Sequence, residues 1–285
     1  MLPDALGGAT AVVAVELRPP RAELGSREGM DAWIDSYHAI RRLGRHGVPS
    51  FLTDSAVGTP EENNLRHLST NLGRELPRDL VTPFLTSKHP LDFCLSYAEQ
   101  AWQQGFTSLV VLGGDTSVGY PRCVEHAWDL RRLIREREPR LSLGGWANPH
   151  AKVAQQVDFL LDSRFCAEFY LTQVVSHLAL DPVKRFLDEI DRRRVTLPGM
   201  FNVFYYRSAS AKTLATLSRF MPVPLEGLVR EFASGASGID VCARTLRELR
   251  SLGVRHFCVC NLPMQDAWST LSEILKKAES PALKA

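Results

Sequence analysis

The residues best placed to do chemistry are carboxylates set in apolar company. Glu16 closes a run of Ala and Val, where a carboxylate is costly to bury unless it is paired or protonated. Two readings are open. Either Arg18 or Arg21 pairs with it, or it is a carboxylic acid with a raised pKa, poised to donate a proton. The second feature is Gly113-Gly114-Asp115, where paired glycines let a flat ligand approach the backbone beside a carboxylate. A tight turn with Asp115 as helix cap is the plainer alternative. The phrase GGDTSVGY nearly mimics a phosphate loop, but Tyr120 stands where the lysine must be.

These groups need elements to aim them. Short apolar runs at 11–15, 49–52, 80–85, 108–112, 141–144, 169–172, 200–204 and 256–260 read as strands buried on both faces. Amphipathic helical patterns lie between them, at 29–43, 60–72, 90–104, 121–135, 150–161, 182–194, 209–220 and 239–252, with a last one at 264–277. Several open on Pro, whose missing N–H is no loss in a first turn. Eight strand-then-helix units within 285 residues predict an α/β fold, a single-domain (β/α)8 TIM barrel spanning 1–285. A doubly wound sheet is disfavoured, because no unit carries a G-x-G-x-x-G turn.

In such a barrel, chemistry sits where strands end. The polar groups there are Glu16, then Thr53-Asp54-Ser55, Thr86-Ser87-Lys88-His89, Asp115, Asn148-Pro149-His150 and Thr172-Gln173. His150 reads as a helix cap or a ligand contact, and Tyr205-Tyr206 as core or as a stacking surface. Residues 234–238 read as a flexible loop or a phosphate-holding helix start.

Composition narrows the function classes. A net charge of +2 with scattered basic residues argues against nucleic acid and membrane surfaces. The one basic run, Arg192-Arg193-Arg194, suits a solvated helix end. None of the six cysteines forms a C-x-x-C pair, and Cys258 and Cys260 share one face of a strand, as packing residues would. No metal-ligand spacing of the H-E-x-x-H kind occurs, so no metal is expected. The first residues lack a basic n-region and a long apolar run, so the expected compartment is a reducing cytosol.

Several pieces together resemble methylenetetrahydrofolate reductases. Val15-Glu16-Leu17-Arg18-Pro19-Pro20 is similar to that family's F-E-F-F-P-P, and Leu112-Gly113-Gly114-Asp115 to its L-R-G-D. Leu171-Thr172-Gln173 resembles I-T-Q, Leu197-Pro198-Gly199-Met200 resembles V-P-G-I, and Arg255-His256-Phe257 resembles x-H-F. The order and spacing fit over nearly the whole chain. The resemblance implies a proton-donating Glu16, a pterin-side Asp115 with Gly114 beside it, a folate-contacting Gln173 and a stacking Tyr206.

The departures fall where that family holds its flavin. Phe84 replaces a flavin-contacting His, Gly113 replaces an Arg that pairs with phosphate, and the lysine-bearing motif after strand 5 is missing. Thr53 matches a flavin-contacting Thr, though Asp54 and Ser55 follow it. The resemblance is to the short, flavin-lacking branch. It implies reduction of 5,10-methylenetetrahydrofolate to 5-methyltetrahydrofolate by direct hydride transfer from NADH or NADPH, with FAD absent. Thr53, Phe84, Gly113, Asn148 and His150 would then border the space for the nicotinamide. The alternatives are an FAD-dependent reductase and a non-catalytic tetrahydrofolate-binding subunit of a methyl-transfer complex. A homo-oligomer is compatible with either.

Overall fold

A computed structural model of the chain describes residues 2–20, 26–54, 78–115 and 119–280. Eight parallel strands close into a barrel in sequence order: β1 (Val13–Leu17), β2 (Ser50–Leu52), β3 (Val81–Thr86), β4 (Ser108–Leu112), β5 (Ser142–Ala147), β6 (Phe169–Thr172), β7 (Gly199–Phe204) and β8 (His256–Cys260). Pairing of β8 with β1 completes the ring, so no strand edge is left open. The protein is a (β/α)8 TIM barrel.

The described helices are α1 (Leu2–Gly7), α2 (Ser26–Arg45), α3 (Leu91–Gln103), α4 (Ala127–Arg137), α5 (Val153–Leu161), α6 (Leu180–Arg192), α7 (Ala211–Leu217), α8 (Leu225–Ala233), α9 (Gly238–Ser251) and α10 (Ala267–Glu279). The helix expected at 60–72 lies outside the described residues. Neither α1 nor α8 is visible as a pattern in the sequence. No described helix is long and apolar enough to cross a membrane.

Strand alternation explains why each run is apolar throughout. One set, including Ala14, Phe51, Phe84, Val110, Phe169, Met200 and Cys258, fills the barrel interior. The alternate set, including Val15, Leu52, Leu109, Leu143, Phe201 and Val259, packs under the helices. Leu2 and Leu6 of α1 join the interior set, so that short helix plugs the barrel on the side where the strands begin.

Two boundaries bear on the site. β1 extends to Leu17 rather than ending at 15, because Glu16 is registered against Phe51 of β2 and Cys260 of β8. Glu16 is therefore a strand residue sharing the inward face of Ala14. α4 begins at Ala127 rather than at Pro121, where the Asp129 carboxylate accepts from the His126 amide at 3.3 Å. Residues 121–126 are thereby left as a loop beside the mouth.

The interior tolerates little added volume. A Cβ on Gly144 would come within 2.6 Å of the Phe169 ring and 2.9 Å of Val110. Gly144→Ala is expected to destabilise the protein by about 1–3 kcal/mol in urea unfolding, the usual cost of overpacking. An unchanged midpoint would mean that the interior is looser than this packing implies.

Candidate active site at the barrel mouth

Glu16 sits among Cys258, Cys260 and the interior hydrophobes. The Cys260 thiol donates to Glu16 Oε2 at 3.2 Å. Some solvent contact remains to the residue, but its carboxyl is surrounded by protein, and this burial drives its pKa above the ordinary carboxylate value of 4.5. The thiol hydrogen bond and the more distant Arg18 charge act in the opposite direction and only partly offset burial. Between the two readings of Glu16, this arrangement favours a protonated acid over an ion pair with Arg18; Arg21 lies outside the described residues.

The ligand-capable atoms of Glu16, Cys258 and Cys260 lie within 4.8 Å of one another. Sequence spacing gave no hint of this cluster, because two strands from opposite ends of the chain build it. The hydrogen bond with Cys258 and then burial push the Cys260 thiol up, and burial pushes Cys258 up although its hydrogen bond with Cys260 acts the other way.

A cavity of about 500 Å³ opens at the ends of β4, β5 and β6, and Gly113, Gly114, Asp115 and Gln173 all line it. Asp115 and Gln173, far apart in sequence, are thus brought to one cavity. Leu112 and Trp146 line it too, and both also pack against the interior cluster containing Cys260, which links this cavity to the side of the barrel holding Glu16. Gly114 adopts φ +74°, a conformation that favours glycine, and turns the chain so that Asp115 follows at the rim. The Gln173 Oε1 accepts from the Val174 amide at 2.9 Å, which fixes the orientation of its carboxamide.

Two arginines in this cavity were not anticipated. A Cβ on Gly113 would lie 2.7 Å from the Arg122 guanidinium carbon, so Arg122 occupies the space that a side chain at 113 would take. Its Nη2 donates to the Gly114 carbonyl. Arg131, from α4, reaches the cavity from behind, donating to the carbonyls of Phe165 at 2.7 Å and Val111 at 2.9 Å.

The other expected site residues are largely engaged in holding the mouth together. Asp54 accepts from the Thr86 amide at 2.6 Å and hydroxyl at 2.8 Å, and meets His89 Nε2 at 2.9 Å. Thr53 donates to the Leu17 carbonyl through its amide at 3.1 Å and its hydroxyl at 3.4 Å. Phe84 is buried edge-on to Phe51, with ring centroids 5.7 Å apart. Asn148 Oδ1 accepts from the His150 amide at 3.0 Å, and the His150 ring bonds the Val174 carbonyl at 2.9 Å.

Tyr206 lies apart from Asp115 and Gln173. Its ring is buried with Leu214, Leu228 and Val241, and it borders a separate cavity of about 260 Å³ shared with Phe204 and Asn261. Residues 234–238 hold no open helix start: Ser237 and Asp240 cap α9 reciprocally, and Asp240 also pairs with Lys277 at 2.6 Å. The basic run at 192–194 is a helix end, with Arg192 on Glu189 at 2.5 Å and Arg193 on Asp158 at 2.5 Å.

The fold and the mouth together define a TIM barrel with a protonatable acid on β1 and a largely apolar cavity over β4 to β6 that carries a few polar groups. No protein-family profile and no curated protein sequence matches the chain. Solved structures do. A protein from Clostridium thermocellum, described as uncharacterized and as binding two copies of 5-methyl-5,6,7,8-tetrahydrofolic acid, shares 15% identity with a TM-score of 0.63, covering 95% of this chain and 94% of that one. A protein from Aquifex aeolicus VF5 shares 11% identity with a TM-score of 0.50, covering 94% and 91%. At these identities the likeness is one of fold.

The Asp54 cluster makes a stability test. Asp54→Ala would remove the acceptor shared by the Thr86 amide and hydroxyl and the His89 ring, and is expected to cost about 1–3 kcal/mol in urea unfolding. A cost near zero would show that the cluster does not tie β2 to β3.

Proposed function

We propose that this barrel reduces 5,10-methylenetetrahydrofolate to 5-methyltetrahydrofolate, taking hydride directly from a reduced nicotinamide dinucleotide without a bound flavin. The observation that carries the reading is Glu16, a carboxyl group inside the barrel whose proton is held by burial and whose hydrogen-bond partner is a neutral thiol. A binding module has no use for such a group, because an acid buried without an ion pair lowers stability. An enzyme that must protonate a weakly basic nitrogen does have a use for it.

The proposed chemistry assigns each group a task. Opening the imidazolidine ring of the substrate leaves an iminium at N5 and requires a proton at N10, which Glu16 supplies. Asp115, at the rim of the same mouth, favours the developing cation. Gln173 offers a pterin edge both a donor and an acceptor, from a carboxamide held by the Val174 amide. The nicotinamide supplies the hydride that turns the iminium carbon into a methyl group. Cys260 keeps the Glu16 carboxyl oriented without ionising it.

Two further points support the reading. The Clostridium thermocellum protein, whose fold extends over nearly the whole of both chains, binds 5-methyltetrahydrofolate, the product proposed here. The sequence pieces that resemble methylenetetrahydrofolate reductases also fall on the strand ends that form the mouth: Glu16 on β1, Asp115 after β4 and Gln173 after β6. On this reading the chain acts as one catalytic barrel in the cytosol, with folate and nicotinamide as its small-molecule partners.

Glu16→Gln tests the proton-donor role. Turnover should fall by about 10²–10⁴-fold, the range for loss of a general acid, with folate binding retained. Turnover within a few-fold of wild type would remove Glu16 from the mechanism. Wild-type activity should also decline as pH rises through the elevated Glu16 pKa.

Wild-type stability should fall with rising pH as activity does, whereas Glu16→Gln should separate the two. The unfolded chain releases this proton near 4.5 and the folded chain only at higher pH. Wild type therefore loses stability as pH climbs from that value through the raised one. Glu16→Gln should melt no lower than wild type at neutral pH, and any advantage should vanish below about pH 4.5.

A further inference from the structure

We infer that Arg122 and Arg131 form an anion-binding subsite at the back of the Asp115–Gln173 cavity, for a phosphate or carboxylate borne next to a flat ring. The geometry of this subsite stands on its own, while the two ligands that would bring such a group follow from the reductase reading.

The first observation is the state of the two cations. Arg131 is 3% exposed, lines the cavity, and donates only to two backbone carbonyls, with its guanidinium stacked 4.6 Å from the Phe165 ring centre. Arg122 donates to the Gly114 carbonyl, and its Nε is buried without a hydrogen-bond partner. Among the described residues neither makes an ion pair. Glu168, the nearest acid to influence Arg131, is itself paired with Arg135. A buried guanidinium without an acid is costly unless an anion arrives with the ligand.

The second observation is the wall. Trp128, Trp146, Phe159, Phe165 and Phe220 line the same cavity, and Trp128 and Phe159 meet edge-on with ring centres 5.6 Å apart. A volume of about 500 Å³ takes a ring and its anionic substituent but not a whole dinucleotide. Asp115 lines the same cavity and repels an anion held beside it, so negative charge there has to be held by the guanidinium groups of Arg122 and Arg131.

The third observation is how the site is built. Gly113 lacks a side chain, and Arg122 fills that space from the loop before α4. The loop is pinned to the barrel by the Cys123 amide, which donates to the Ser87 carbonyl at 2.7 Å.

Two sources carry an oxyanion beside a flat ring: the adenosine diphosphate half of a nicotinamide dinucleotide, and the p-aminobenzoylglutamate tail of a folate. Calorimetric titration of the full chain with ADP and, separately, with p-aminobenzoylglutamate distinguishes them. At least one probe should bind wild type, and Arg122→Gln should weaken that binding at least about tenfold, as expected for loss of a charge-assisted hydrogen bond. Its thermal unfolding should stay cooperative, and Arg122→Lys should recover only part of the affinity, because a single ammonium cannot make the forked contact. ADP binding would assign the subsite to the dinucleotide, and p-aminobenzoylglutamate binding to the folate tail. No binding of either probe, or equal binding by wild type and Arg122→Gln, would overturn the inference. Fragment binding without turnover would sink the reductase reading and leave the subsite standing; turnover with an indifferent Arg122 would do the reverse.

Discussion

A carboxyl group facing into an apolar barrel is the interaction on which the rest of the site depends. Its position is a matter of register. Glu16 is opposite Phe51 and Cys260, so it shares the inward face of Ala14, whereas a slip of one residue would turn it out among the helices. The α1 plug fills the interior below it with Leu2 and Leu6.

Several polar groups at the mouth hold it together. Asp54, Thr86 and His89 bind the end of β2 to β3, and Asn148 and His150 fasten the loop after β5 to the start of the β6 loop. These polar side chains look like site residues by position, yet their hydrogen bonds are directed at neighbouring backbone and side chains. What they support is the rim carrying Asp115 and Gln173, and behind it the two arginines. Fixed positioning matters to any site that orients a ligand, since a shift of about 1 Å can cost two orders of magnitude in rate.

Much of this was legible in the sequence, for identifiable reasons. Parallel strands buried on both faces leave continuous apolar runs, so all eight were visible, β4, β6 and β8 with their observed bounds and the others with ends displaced by a few residues. Glu16 stood out because a charge at the end of such a run has to be explained. Less legible was whatever depends on how the chain travels between strands. Pro121 signals a helix start, but the chain there spends six residues bringing Arg122 to Gly113 before α4 begins. The resemblance implies a cation at position 113 that Gly113 lacks; that Arg122 fills the space there was not legible, because no local propensity fixes that path. The Glu16–Cys258–Cys260 cluster and the α1 plug were hidden for a related reason, since closing the barrel joins the first strand to the last.

On the proposed function, hydride passes straight from nicotinamide to the folate carbon. The most direct measurement uses NADH deuterated at the transferred C4 position, methylenetetrahydrofolate and the purified chain with no flavin added, followed by mass analysis of the product methyl group. The account predicts a colourless protein that consumes NADH only when folate is present and retains one deuterium per methyl group formed. A yellow protein whose product methyl carries solvent protium, or a colourless one that binds folate and never consumes NADH, would contradict it.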